Sequence, residues 1–132
     1  VTAFVDFFGE TDYVALARTP AACTPDYTPL FGCSPDSCSE LAGSANPTSY
    51  VTRDDSAALI VHGNADCAVP IGQSAALNAA LKNAGVPSTL LTVNGGHGGP
   101  SFVTDDVLTQ VDAFLDLYLK GPQSSRRRAV HH

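Results

Sequence analysis

Ala57-Ala58-Leu59-Ile60-Val61-His62-Gly63-Asn64-Ala65-Asp66-Cys67-Ala68-Val69-Pro70 is the stretch that decides the fold. From Ala57 to His62 the apolar run shows no polar alternation, which reads as a strand buried on both faces, the habit of parallel sheets. Gly63 closes the strand and a short loop carries Asp66. After Pro70 an Ala-rich helix is predicted from about Gly72 to Ala84, with Leu77, Leu81 and Ala84 at helical spacing, Gly85 as its C-cap and Pro87 beyond.

On the N-terminal side, Thr2 to Phe8 is a second apolar run bounded by Gly9, and it too is expected to be buried on both faces. On the C-terminal side, Thr89-Leu90-Leu91-Thr92-Val93 reads as a third strand leading into Asn94-Gly95-Gly96-His97-Gly98-Gly99. A last helix begins near Thr104, places Asp105 and Asp106 where the helix dipole favours them, repeats Val107, Val111, Phe114, Leu115 and Tyr118, and ends at Lys120-Gly121-Pro122. Residues 19–50 carry Pro20, Pro25, Pro29, Pro35 and Pro47 with Cys23, Cys33 and Cys38, so they read as a loop-rich excursion with one helical turn near Ser39 to Ala42. Strand, excursion, strand, helix, strand, helix is the sequence form of βαβ units. The expected class is α/β, with about three parallel strands and flanking helices.

The chain has 132 residues, the size of one domain, and a net charge of -6. Residues 1–122 hold four cationic and thirteen acidic side chains, because Arg126-Arg127-Arg128 supply the rest of the positive charge. That body has the wrong sign for tracking nucleic acid or an anionic lipid surface, so neither partner is expected. No apolar run approaches the roughly 18 residues of a membrane span. Methionine is absent, so the chain is expected to begin inside a fold. Residues 1–122 are assigned to the domain, and 123–132, closing in His131-His132, to a disordered tail with a tag remnant.

In open parallel sheets, reactive groups collect at the carboxyl ends of strands, where the turns have no packing duty. Those ends hold Glu10-Thr11-Asp12, Asn64 to Pro70 and Gly95 to Gly99. A carboxylate and an imidazole thus leave adjacent strands on one edge, the placement needed for an acid that orients a histidine base. Asp66 could equally be a turn-former ahead of the helix, and His97 an incidental histidine in a glycine-rich turn. Asp12 is the competing acid. His62, at the inner end of a buried strand, reads as a satisfied core histidine.

Phe4 to Asp12, Asn46-Pro47-Thr48-Ser49-Tyr50-Val51, the H-G-x-x-D-x-x-V-P segment from His62 to Pro70 and Gly95-Gly96-His97-Gly98 together resemble the C-terminal part of an α/β-hydrolase, of the bacterial carboxylesterase and lipase type. The resemblance covers about Val1 to Lys120. It implies a serine esterase in which Asp66 is the triad acid and His97 the base, with Asp12, Val69 and Pro70 supporting the pocket or its loops, and with no metal and no cofactor. The family's nucleophile sits in G-x-S-x-G upstream of the acid. No such string occurs here; Gly72-Gln73-Ser74-Ala75-Ala76 comes after the acid and lacks the second glycine. The resemblance therefore implies that the nucleophile, the oxyanion donors and the N-terminal half of the sheet lie before Val1. The strand at Thr2 to Phe8 should then expose an edge, covered either by that N-terminal half or by a second copy of the chain.

Cys23, Cys33, Cys38 and Cys67 fit neither a zinc spacing nor a C-x-x-C redox motif. Cysteines in a Pro-rich excursion favour disulfides and a secreted or periplasmic bacterial protein. Of three possible pairings we favour Cys33 with Cys38 and Cys23 with Cys67, which would staple the excursion as a lid-like wall to the loop bearing Asp66. The leading reading is an ester hydrolase acting on an ester substrate, inactive without its upstream half. A non-catalytic hydrolase-fold module and a peptidase of the prolyl-oligopeptidase group are the alternatives.

Overall fold

The computed structural model describes residues 2–120. Its sheet has three parallel strands, β1 (Ala3–Phe7), β2 (Ala57–Gly63) and β3 (Ser88–Val93), in that spatial order. The central strand β2 is buried at every position, as its unbroken apolar run requires. β1 departs from the expected two-faced burial. It is half-buried, and Phe7 is exposed. Its composition suits an interior strand, but among the described residues nothing pairs with its outer edge.

Alternation along β2 divides the core. Ala58 and Ile60 pack with Leu77, Leu81 and Val86 on one face; Leu59 and Val61 pack with Val93, Phe102 and Val107 on the other. Each large side chain so buried contributes roughly 1.5–3 kcal/mol.

The helices are α1 (Tyr13–Arg18), α2 (Thr28–Phe31), α3 (Ser39–Gly43), α4 (Gly72–Asn83) and α5 (Asp105–Leu115), the last running on into a π-helical turn over Asp116–Lys120. α4 covers the first core face, and Gly85 follows it with φ +83°, the left-handed C-terminal residue expected. α5 covers the second face; Thr104 caps it, its hydroxyl accepting from the Val107 amide at 3.3 Å. α1 was not expected. Six residues are too few to show a period, yet its start signal stood in the sequence, since Asp12 accepts from the Ala15 amide at 3.0 Å. The excursion also holds more regular structure than expected: α2, closed by left-handed Gly32, the predicted turn enlarged to α3, and a 3₁₀ turn at Pro47–Tyr50. The helix stop at Gly121-Pro122 and the tail 123–132 lie outside the described residues. No described helix is long and apolar enough to cross a membrane.

Candidate active site

The carboxyl ends of β2 and β3 bring together two side chains that are 31 positions apart. Oδ2 of Asp66 lies 2.8 Å from Nδ1 of His97. The acid is held from below by its own turn, Oδ1 accepting from the amides of Ala68 and Val69, both at 2.9 Å. Its side chain is fully buried. Burial is the largest influence on the Asp66 carboxyl and pushes its pKa up, but the hydrogen bonds from Val69, His97 and Ala68 together outweigh it and hold the group below its ordinary 3.8. The carboxylate can only accept, so Nδ1 of His97 carries the proton and Nε2 keeps its lone pair. The His97 side chain is 39% exposed.

Two loops must cross closely to make this contact. A Cβ on Gly63 would run into the carbonyl oxygens of Gly95 and Gly96, so the glycine that ends β2 lets the His97 loop pass over it. The Ala65 amide donates to Gly95 O at 2.9 Å, and the Asn64 side chain donates to Asn94 Oδ1 at 2.7 Å. Gly98 and Gly99 have φ of +92° and +97°, which carry the chain away from the imidazole towards α5.

His62 is fully buried and hydrogen-bonded, as expected of a core histidine. Its Nε2 donates to Val69 O at 2.6 Å and also lies 3.3 Å from Asp66 Oδ2; its Nδ1 lies 2.6 Å from Ser74 Oγ. Ser74, His62 and Asp66 thus lie in a row inside the core, but with the ring nitrogens reversed relative to a catalytic triad and with Nε2–H given to Val69 O. Ser74 is fully buried, so this serine is a structural partner and no nucleophile.

Asp12 does not compete for His97. Its carboxylate caps α1, and its amide donates to Gln73 Oε1 at 2.6 Å. Val69 supplies an amide to Asp66 and a carbonyl to His62, and Pro70 O accepts from the Gln73 amide at 3.0 Å to open α4. Cys67 has no free thiol. It is bonded to Cys23, and Cys33 to Cys38, the pairing favoured above. Beside that bridge, the Cys23 amide donates to Cys67 O at 3.1 Å and Thr24 Oγ1 to Ala68 O at 2.8 Å, so the excursion is strapped to the Asp66 turn. Tyr27 of the same excursion donates its hydroxyl to Glu10 Oε1 at 3.0 Å. Burial, then that carboxylate, push the Tyr27 phenol well above its ordinary range.

Sequence reasoning missed three residues at the site. Gln73, buried, accepts from Thr11 and Asp12 and so ties the end of β1 to α4. Ser74 anchors His62. Phe8 puts its ring against His97, with centroids 4.4 Å apart. The first two lie four and three residues before Leu77, on the face of α4 that Leu77 and Leu81 bury, so helical spacing is the signal that could have found them.

Residues 1–81 match the BD-FAE family. Among solved structures, a truncated form of a carbohydrate esterase from gut microbiota is 30% identical, over 86% of this chain and 41% of its own, with a TM-score of 0.74. A bifunctional GH43-CE protein of Bacteroides eggerthii is 28% identical over 86% of this chain and 16% of its own, at TM-score 0.70. A puromycin-hydrolyzing peptidase of Mycobacterium tuberculosis, 24% identical over 91% of this chain and 18% of its own at TM-score 0.70, shares the fold. This chain therefore spans less than half the length of each of these neighbours. No curated protein matches the sequence significantly. With three parallel strands, flanking helices and an open sheet edge, the chain belongs to the BD-FAE family and is a C-terminal portion of an α/β-hydrolase fold.

Proposed function

We propose that this chain supplies the acid and the general base of a carboxylic ester hydrolase that works through an acyl-enzyme, the nucleophilic serine being carried by polypeptide outside residues 1–132. The observation that carries this reading is the 2.8 Å contact between the buried, ionised Asp66 and the exposed ring of His97. In the proposed cycle Nε2 of His97 takes the serine proton as the oxygen attacks the ester carbonyl, then returns it to the departing alcohol. Asp66 holds the imidazole in the Nδ1–H tautomer and stabilises the imidazolium that forms. Water repeats the sequence to release the acid. The 30% identity to a carbohydrate esterase supports an ester substrate; the fold shared with a peptidase leaves an aminoacyl amide as the second substrate class to test.

The open side of β1 is part of the same reading. A groove of about 640 Å³ runs beside it, lined by apolar side chains that include Phe4, Phe7, Leu77 and Leu81 and by the acidic Asp6 and Asp55. We assign this groove to the N-terminal half of the same hydrolase, whose neighbouring strand would satisfy the free edge. The two disulfides support a secreted or periplasmic protein.

The test is to join the chain to its upstream half and assay a short-chain p-nitrophenyl ester, an aminoacyl amide and labelling by an organophosphonate ester. Ester turnover with labelling of an upstream serine, reduced about 10⁴-fold or more by His97→Ala, is the expected result. Labelling with amide but no ester turnover would make the protein a peptidase. No labelling and no turnover would leave a non-catalytic module.

A further inference from the structure

Phe8 is the first residue beyond β1, and its amide still donates to Val61 O at 2.9 Å. Its φ is +49°, and among the described residues no other non-glycine residue has a positive φ. An L-residue resists this region because its Cβ crowds the backbone, and glycine, asparagine or aspartate usually occupies it. For stability alone the position favours glycine.

The conformation decides where the ring goes. On β1, Phe4 packs against the α4 face of the sheet and Val5 against the α5 face. Strict alternation would return Phe8 to the side of Phe4. Instead Phe8 packs with Val5, against Leu59, Val61, Phe102 and Val107. The left-handed residue reverses the parity of the strand. Its ring lies 4.4 Å from the His97 ring with a 55° tilt, and 5.0 Å from the Phe102 ring in an edge-on arrangement at 88°.

His97 needs this neighbour. Glycines flank it on both sides, so its own loop offers no side chain to brace it. One hydrogen bond, from Nδ1 to Asp66, fixes a point of the ring and leaves the plane free to pivot about that bond. The Phe8 ring also borders this loop: a Cβ on Gly98 would stand 3.7 Å from it, in ordinary van der Waals contact.

We infer that Phe8 is a positioning residue for His97: its left-handed backbone turns the ring, backed by Phe102, onto the imidazole and so fixes the direction in which Nε2 points. This rests on the reading of His97 as general base, but the geometric claim can be measured without activity. In the complete hydrolase, Phe8→Ala, Phe8→Gly and Phe8→Tyr are compared by ester kinetics, thermal unfolding and the NMR resonance of the His97 Nδ1 proton, assigned by its loss in His97→Ala. Phe8→Ala is expected to lower kcat about 10- to 100-fold with KM within about twofold, the penalty of a misaimed catalytic group. Phe8→Tyr, which restores an aromatic ring, is expected to return kcat to within about threefold of the parent. Phe8→Gly removes the ring while relieving the backbone, so kcat should fall as far as in Phe8→Ala although Tm falls less. In both ring-deleting variants the Nδ1 proton resonance should broaden. A sharp, unmoved resonance in Phe8→Ala, or a kcat that falls and recovers in step with Tm across the three variants, overturns the proposal. If the parent hydrolyses no ester, the functional reading fails and the resonance alone decides the role of Phe8.

Discussion

His62 and His97 meet at a single oxygen. Oδ2 of Asp66 lies 3.3 Å from Nε2 of the first, which is buried, and 2.8 Å from Nδ1 of the second, which is exposed. With the amides of Ala68 and Val69 on Oδ1 and Nδ1–H of His97 on Oδ2, three donors hold the carboxylate, while the His62 Nε2–H beside it is directed to Val69 O. Its orientation is set from inside the core before any substrate arrives, which is the preorganisation that the proposed role of Asp66 requires.

Removing the inner partner should loosen that arrangement. His62→Leu leaves Val69 O and Ser74 Oγ without their partner inside the core, and is expected to cost about 2–4 kcal/mol. Ser74→Ala, which strands only one lone pair, should cost about 1 kcal/mol. Urea unfolding of both variants checks the ranking; equal costs would contradict the clamp.

Asp66 makes stability depend on acid. Its folded pKa lies below the ordinary 3.8, so its contribution is complete above that value and is lost as pH falls through the folded pKa. The stability gap between the parent and Asp66→Asn should therefore be constant near neutrality and shrink below pH 3.8. A gap that widens on acidification would reverse the sign and refute the assignment.

Asp6 works in the opposite direction. Burial, only partly offset by the Gly9 amide, raises its pKa above 3.8, so its ionised form is disfavoured in the fold and stability falls as pH rises from 3.8 through the folded pKa. Asp6→Asn keeps an acceptor for Gly9 and should raise the unfolding midpoint at pH 7 but not at pH 3, which paired thermal melts would show.

Gly63→Ala should be severe for a residue with no function of its own. The new methyl meets two backbone oxygens of the His97 loop, which cannot swing aside as a side chain could. A cost of about 2–3 kcal/mol is expected, with loss of the Asp66–His97 contact seen as disappearance of the Nδ1 proton resonance.

The two disulfides should differ in weight. Cys23–Cys67 closes 44 residues and Cys33–Cys38 only 5. Chain-entropy arithmetic gives about 4 kcal/mol for the first and about 2 kcal/mol for the second. Serine pairs at each bridge, compared by urea unfolding, test the order, and thiol titration of unreduced protein should find no free cysteine among the four.

The sequence by itself determined the class of fold and singled out Asp66 and His97 as the proposed acid and base. The unbroken apolar run of β2 could be satisfied only by burial on both faces, and that required strands and helices laid alternately against it. The placement of Asp66 and His97 just beyond adjacent strands then followed from the parallel topology. Tertiary structure decided what periodicity cannot carry. It chose His97 for Asp66 and gave Asp12 to α1, because the crossing over Gly63 brings the third strand's loop to the second strand's turn. It chose the buried partners of Gln73 and Ser74, Thr11 and His62, each more than ten residues away. It left β1 half-exposed despite its interior composition, because burial depends on what lies alongside a strand and not on the strand alone. And it reversed Phe8 through a single backbone dihedral, a choice made by the ring it packs against.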